Sequence, residues 1–327
     1  TVVSDSGNKY RFDGFGTSAV TLDLAEGGTY IFNYPSAHPF RFSTTSDGTH
    51  GGGSEYTTGV TVLSSTSVQI VVAASAPTLY YYCTQHSGMG GQANTNSTLG
   101  SSNFDGSTQS TVKVNATAGF SIVKYAGNGS TATIGHGLGV APQTYIVKQL
   151  NSAADWYVYH KQIGATYQLK LNDTIARADN DRWQDTDPTS SVFYLAQKTA
   201  SNGSGDTYIA YCFSEVAGYS KFGRYDGNNA NNGTFVYTGF RPAWVMIKRY
   251  ETTRDWIIYD NKRSTFNVID DFLEPNNSTA EQTSSTRNVD FLANGFKFRG
   301  SDGDMNGAGD YIYFAFAEST FKYARAR

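Results

Sequence analysis

The sequence predicts an all-β protein of two or three domains, and three observations carry that expectation. First, apolar runs of four to six residues alternate with clusters of Gly, Ser and Asp, the spacing of antiparallel sandwiches. Second, charged residues make up only 16% of the 327-residue chain, against about 25% in ordinary globular proteins. Gly, Ser, Thr, Asn and Tyr take their place, while 14% aromatic residues still allow a packed core. Third, the C-terminal two-thirds repeats itself.

Taken in order, the first strands are expected at Gly28–Asn33, His38–Ser43, Ser67–Val72 and Leu79–Cys83. The Gly-rich run Asp47–Ser54 separates two of them. Residues 92–109 are poor in apolar groups and read as a linker or long loop, so a first domain spans 1–117. The repeat follows. Tyr125-Ala126-Gly127-Asn128 returns as Tyr225-Asp226-Gly227-Asn228, Pro142 as Pro242, Lys148 as Lys248, and Asp155-Trp156 as Asp255-Trp256, each one hundred positions on. Later the register slips, and Tyr208–Glu215 matches Tyr311–Glu318. A unit this long is a duplicated domain rather than a solenoid repeat, which gives β repeat one at 118–220 and β repeat two at 221–327. Helix signals are few; Asn267–Glu274 is expected to form a short helical turn.

The formal charge of −3 gives no electrostatic reason to expect nucleic acid. No stretch approaches the roughly 18–20 apolar residues of a membrane-spanning helix. The chain begins at Thr1, which reads as a processed form or part of a longer chain. Two cysteines cannot make a disulfide framework. Cys212 matches Ala315 in the second repeat, so its slot calls for a small apolar side chain.

The sharpest chemical signal is Cys83-Thr84-Gln85-His86-Ser87-Gly88-Met89, with His38 upstream. A thiolate, two imidazoles and a thioether are the donor set of a type 1 copper site. One tight loop can present Cys83, His86 and Met89 to a single ion, and a neighbouring loop can supply His38. The alternative is an inherited shell in which Cys83 is a buried hydrophobe and the histidines are loop hydrogen-bonders.

This segment, about residues 8–95, resembles the cupredoxins, through its C-x2-H-x2-M spacing and the run Ser36-Ala37-His38-Pro39-Phe40. The resemblance implies a cupredoxin-like β-sandwich, copper held equatorially by His38, Cys83 and His86, and Met89 at a longer axial distance. Residues 118–327 are similar to a duplicated module of marine bacteriophage (cyanophage) virion proteins. The phrases that carry this are Gly135–Pro142, Thr207–Glu215, Gly218–Gly223 and Tyr237–Trp244. That resemblance implies a virion structural protein at the particle surface: a capsid decoration, fibre or tail-associated component. Its partners would be other virion proteins and copies of itself, a trimer if it is a fibre. Two further readings are an electron-transfer or metal-capture protein, and an adhesin that binds host surface glycan.

Other sites are weaker. Asp302-Gly303-Asp304-Met305-Asn306-Gly307 fits the first half of an EF-hand loop, but its twelfth position is Tyr313 rather than Glu. A solvated hairpin turn is the preferred reading, with calcium held by Asp302, Asp304 and Asn306 as the alternative. Asp179, Asp181, Asp185 and Asp187 read as a polar loop. Gly135, Gly137 and Gly139 lack the following helix of a phosphate loop. The Asp-Trp pairs read as duplicated core positions before sugar platforms. No catalytic constellation is apparent: His136 and His160 have no counterpart in the second repeat and read as loop or surface residues, and Glu215 and Glu318 read as structural. A non-enzymatic protein is expected.

Overall fold

A computed structural model describes residues 1–12, 17–95 and 100–318. The expected all-β architecture is what forms. The chain divides into two compact units, Thr1–Lys113 and Val114–Arg327, and both repeats lie in the second.

In the first unit, the hairpin β1 (Val2–Ser4) and β2 (Asn8–Tyr10) precedes a two-sheet sandwich. β3 (Leu22–Asp23), β4 (Thr29–Asn33), β5 (Phe40–Ser43), β6 (Val60–Ser64), β7 (Ser67–Val71), β8 (Leu79–Cys83) and β9 (Gly91–Asn94) build it. One sheet runs β3-β9-β8-β5 and the other β4-β7-β6. Alternation buries Phe40 and Phe42 of β5, Val68 and Ile70 of β7, and Leu79, Tyr81 and Cys83 of β8. Side-chain period two puts these on one face, where each buried hydrophobe contributes about 1.5–3 kcal/mol. The expected linker over 92–109 is partly ordered as strand. Residues 92–94 complete β9, and β10 (Ser101–Asn103) pairs with β11 (Ser110–Asn115); residues 96–99 lie outside the described set.

In the second unit, repeat one contributes β12 (Phe120–Ala126), β13 (Ala132–Gly135), β14 (Thr144–Gln149), β15 (Tyr157–His160), β16 (Tyr167–Lys170), β17 (Ala178–Asp179), β18 (Val192–Leu195) and β19 (Thr207–Phe213). Repeat two contributes β20 (Ser220–Gly227), β21 (Phe235–Tyr237), β22 (Pro242–Arg249), β23 (Trp256–Asp260), β24 (Asp271–Phe272), β25 (Gln282–Thr283), β26 (Val289–Leu292), β27 (Gly295–Phe298) and β28 (Gly309–Ala317). The duplication is visible in strand order. β12-β19-β14-β15 in repeat one is matched by β20-β28-β22-β23 in repeat two, and the β13-β18 pair by β21-β27.

The same residues do the same work in both. Tyr125 pairs across strands with Tyr208 and stacks on it at 5.2 Å; Tyr225 pairs with Tyr311 and stacks at 4.8 Å. The Tyr125 hydroxyl donates to Ser201 O, and that of Tyr225 to Met305 O. The two repeats pack on each other through Ile146, Val158 and Leu169 of the first and Phe222, Met246, Trp256 and Phe314 of the second. The slipped register therefore reflects a loop insertion ahead of an otherwise preserved unit.

Three local expectations change. Asn267–Glu274 is not helical: Ile269 and Phe272 are buried in the core of repeat two, and strand bridges Ile269–Val289 and Ile258–Leu273 draw the segment into extended pairing. His136 and His160 are fully buried rather than at the surface. His136 Nε2 lies 3.1 Å from Thr189 O, and the His160 ring packs edge-on to Phe314 at the junction of the repeats. Burial pushes the His160 imidazole down to about 3, so it is neutral at physiological pH.

Candidate metal centre

His38, Cys83 and His86 converge. Their donor atoms all lie within 4.8 Å of one another, from residues up to 48 positions apart in sequence. Sheet pairing explains the meeting. Phe40 of β5 stands opposite Cys83 of β8, so His38, two residues before Phe40, arrives beside Cys83 where that strand ends. The Thr84 amide then donates to Pro39 O at 3.0 Å and fixes the two loops side by side.

The donor geometry fits one ion. The two Nδ1 atoms are 3.1 Å apart, and Cys83 Sγ is 3.7 Å from that of His86 and 4.0 Å from that of His38. Metal–nitrogen bonds of about 2.0 Å and metal–sulfur bonds of about 2.3 Å bring donors to separations of this size when all three touch one cation. At these separations the three side chains can either share hydrogen bonds with one another or bind one cation between them. Cys83 is fully buried, His38 half-buried and His86 exposed, so the cluster lies at the surface end of an apolar core. Met89 is fully buried in the cluster that also holds Cys83, Phe40 and Tyr81.

Neighbours that pattern reading did not single out hold the ligand loop. His50, in the Gly-rich run, places Nε2 3.0 Å from Cys83 O. Asp47 Oδ1 accepts the Gly88 amide at 2.8 Å, and Lys9 Nζ donates to Gly88 O. Gly90 is required by close approach, because a Cβ there would lie 1.6 Å from Tyr81 O. A lone histidine among glycines is the one sequence signal for His50; Lys9 gives none.

The remaining candidates are spent on structure. Arg287 sits among the carboxylates of the 302–306 turn, at 3.2 Å from Asp302, 2.6 Å from Asp304 and 3.0 Å from Glu274. Asn306 is an internal bracket: Oδ1 accepts the Asn228 amide, and Nδ2 donates to Asn228 Oδ1 and Ala230 O. Asn202 does the same for the Asn128 loop of repeat one. The turn is thus the second copy of a structural motif, closed by arginine in place of a cation. Of the other acidic group, Asp181 pairs with Lys198 at 2.5 Å and Asp187 accepts the Tyr159 hydroxyl at 2.9 Å, while Asp179 and Asp185 stay exposed. Trp256 is fully buried with its Nε1 donating to Lys170 O, and Trp156 is half-buried. Cys212 is fully buried opposite Tyr145, and burial pushes its thiol up to about 12.

A family model described as a domain of unknown function, DUF7483, matches residues 92–320. No curated protein and no solved structure matches the chain. The matched segment starts after Met89, so all four candidate ligands precede it.

Proposed function

The chain belongs to the DUF7483 family, and from that premise we propose a division of labour: the duplicated unit is a non-enzymatic scaffold, and the unit before it binds one copper ion. The observation that carries the proposal is the convergence of His38 Nδ1, Cys83 Sγ and His86 Nδ1 at 3.1–4.0 Å. A thiolate with two imidazoles and a buried thioether nearby is the donor chemistry that selects copper over the harder divalent cations. When bound, copper supplies one-electron redox chemistry and a cross-link between two loops. The chain's part is to hold the three donors at fixed separations, keep water from the Cys83 side and leave the His86 edge open to solvent.

The non-enzymatic reading of the family segment rests on how its repeat-matched polar groups are used. Lys148 Nζ donates to Ala154 O and Lys248 Nζ to Thr174 O; Asn202 and Asn306 bracket loops; Tyr125 and Tyr225 cap carbonyls. Groups so committed build a durable β body. With the sequence resemblance to phage virion proteins, this supports a particle-surface component that contacts other virion proteins and copies of itself. Among the described residues no helix is long and apolar enough to cross a membrane.

Metal analysis of the protein purified without added metal, together with mass spectrometry of purified particles, tests both halves. Near-stoichiometric copper and recovery of the chain from particles are expected. A metal-free chain that stays metal-free in copper-supplemented cells would remove the first half, and absence from particles the second. A second reading, electron transfer, is favoured by one observation: His86 is exposed while Cys83 is buried, which puts an imidazole edge at the surface as the outlet for charge.

A further inference from the structure

Two loops supply the donors, and an ion binds tightly only if both are held before it arrives. One residue touches both. Tyr10, at the end of β2, donates its backbone N–H to Met89 O at 2.9 Å and its hydroxyl to His38 O at 2.7 Å. The first bond grips the loop that carries Cys83, His86 and Met89; the second grips the loop that carries His38. Its ring is nearly fully buried and packs edge-on against Phe40 at 5.2 Å, which fixes the direction of the hydroxyl. Lys9 adds a third tie, from Nζ to Gly88 O. A phenol hydroxyl is an O–H donor, and the His38 carbonyl oxygen can only accept, so the direction of the Tyr10–His38 bond is fixed.

We infer that Tyr10 is a positioning residue for the metal centre, a two-ended brace that sets the separation of His38 from Cys83 and His86 before the ion binds. The inference rests on the copper reading above. Outer-sphere groups of this kind orient ligands without touching the metal. Here the bonds run to main-chain carbonyls of the ligand residues, so what they fix is loop position rather than imidazole tautomer.

Tyr10→Phe removes the hydroxyl and keeps the ring. In the full-length chain it should bind Cu(II) about threefold to tenfold more weakly in competition with a chelator, the loss expected of one preorganising hydrogen bond. It should also shift the thiolate-to-copper absorption band and the copper hyperfine splitting, which a merely packing role would leave alone. Wild-type affinity and wild-type spectra in a folded Tyr10→Phe would overturn the inference. Should the variant not fold, the unaltered chain decides. If the brace favours metal binding, metal must favour the brace equally, so Cu(II) should slow exchange of the Tyr10 amide at least threefold, and unchanged exchange would overturn the inference. An unaltered chain that gives no copper–thiolate band removes the copper reading itself, an outcome distinct from either.

Discussion

Two loops of this chain carry the spacing of cation ligands, and they end differently. At 83–89 the donors of His38, Cys83 and His86 face one another across 3.1–4.0 Å, and among the described residues no ion pair reaches them. At 302–306 Arg287 reaches in instead, its three guanidinium nitrogens pairing with Asp302, Asp304 and the nearby Glu274. Ligand spacing states only which groups a turn can aim inward. Whether they await an ion depends on whether the fold delivers a side-chain cation from elsewhere, and that delivery is long-range.

The comparison can be broken most forcefully at Arg287. Arg287→Ala leaves buried Glu274 without its counter-charge and buried Asp304 with only Arg254 at 3.8 Å, which should cost about 3–5 kcal/mol, read as a lowered urea midpoint with unchanged slope. Calcium at millimolar concentration should leave the melting temperature of the unaltered chain unchanged. A rise there would mean that the turn accepts a cation despite the arginine. Next in size, Asn306→Ala and Asn202→Ala should each cost about 2–3 kcal/mol, because each strands buried loop amides and carbonyls. Closely similar losses would confirm that Asn306 is a bracket rather than a ligand, and a near-zero loss at Asn306 alone would reopen the point.

Copper provides the opposite sign. Metal bound only to the native state should stabilise the first unit by about 2.7 kcal/mol at a hundredfold excess over Kd, seen as a raised unfolding midpoint that Cys83→Ser abolishes. An equal rise in Cys83→Ser would place the metal elsewhere. The last effect, small per pH unit, concerns acid. His160 is held at about 3 in the folded chain by burial, below the ordinary value of about 6.5. Between those values the unfolded chain binds the extra proton. The contribution is therefore full above pH 6.5 and is lost as pH falls toward 3, at up to about 1.4 kcal/mol per pH unit. His160→Phe should flatten that acid limb, and an unchanged limb would assign it to other groups.

Much of the fold was legible because its signals are local or periodic. Alternation marked Leu79–Cys83 as a strand, and the hundred-residue echo of Tyr125 at Tyr225 marked the duplication. The matched pair of Cys212 and Ala315 foretold a small buried side chain, since each sits opposite the same position of the neighbouring strand, Tyr145 or Val245. The donor set was legible for another reason: three of the four candidate residues share one loop, and His38 lies just before the strand that pairs with β8. What escaped depends on partners distant in sequence. His136 and His160 read as loop or surface residues because neither has a counterpart in the second repeat, yet both are buried, and packing of one repeat on the other covers His160. Asn267–Glu274 has helix-compatible residues, but Ile269 and Phe272 belong to the repeat-two core and pull it straight. Tyr10 and His50 hold the ligand loops through main-chain carbonyls, contacts that depend on geometry and leave no trace in residue type.

The most direct test of the copper reading is a titration of the full-length chain with Cu(II), followed by visible absorption and electron paramagnetic resonance, with Cys83→Ser alongside. An intense thiolate-to-copper band that saturates at one equivalent and is absent from Cys83→Ser is the expected result. A folded chain that takes up no copper, or takes it up with no such band, would contradict the account and leave His38, Cys83 and His86 as a hydrogen-bonded cluster with no metal to hold.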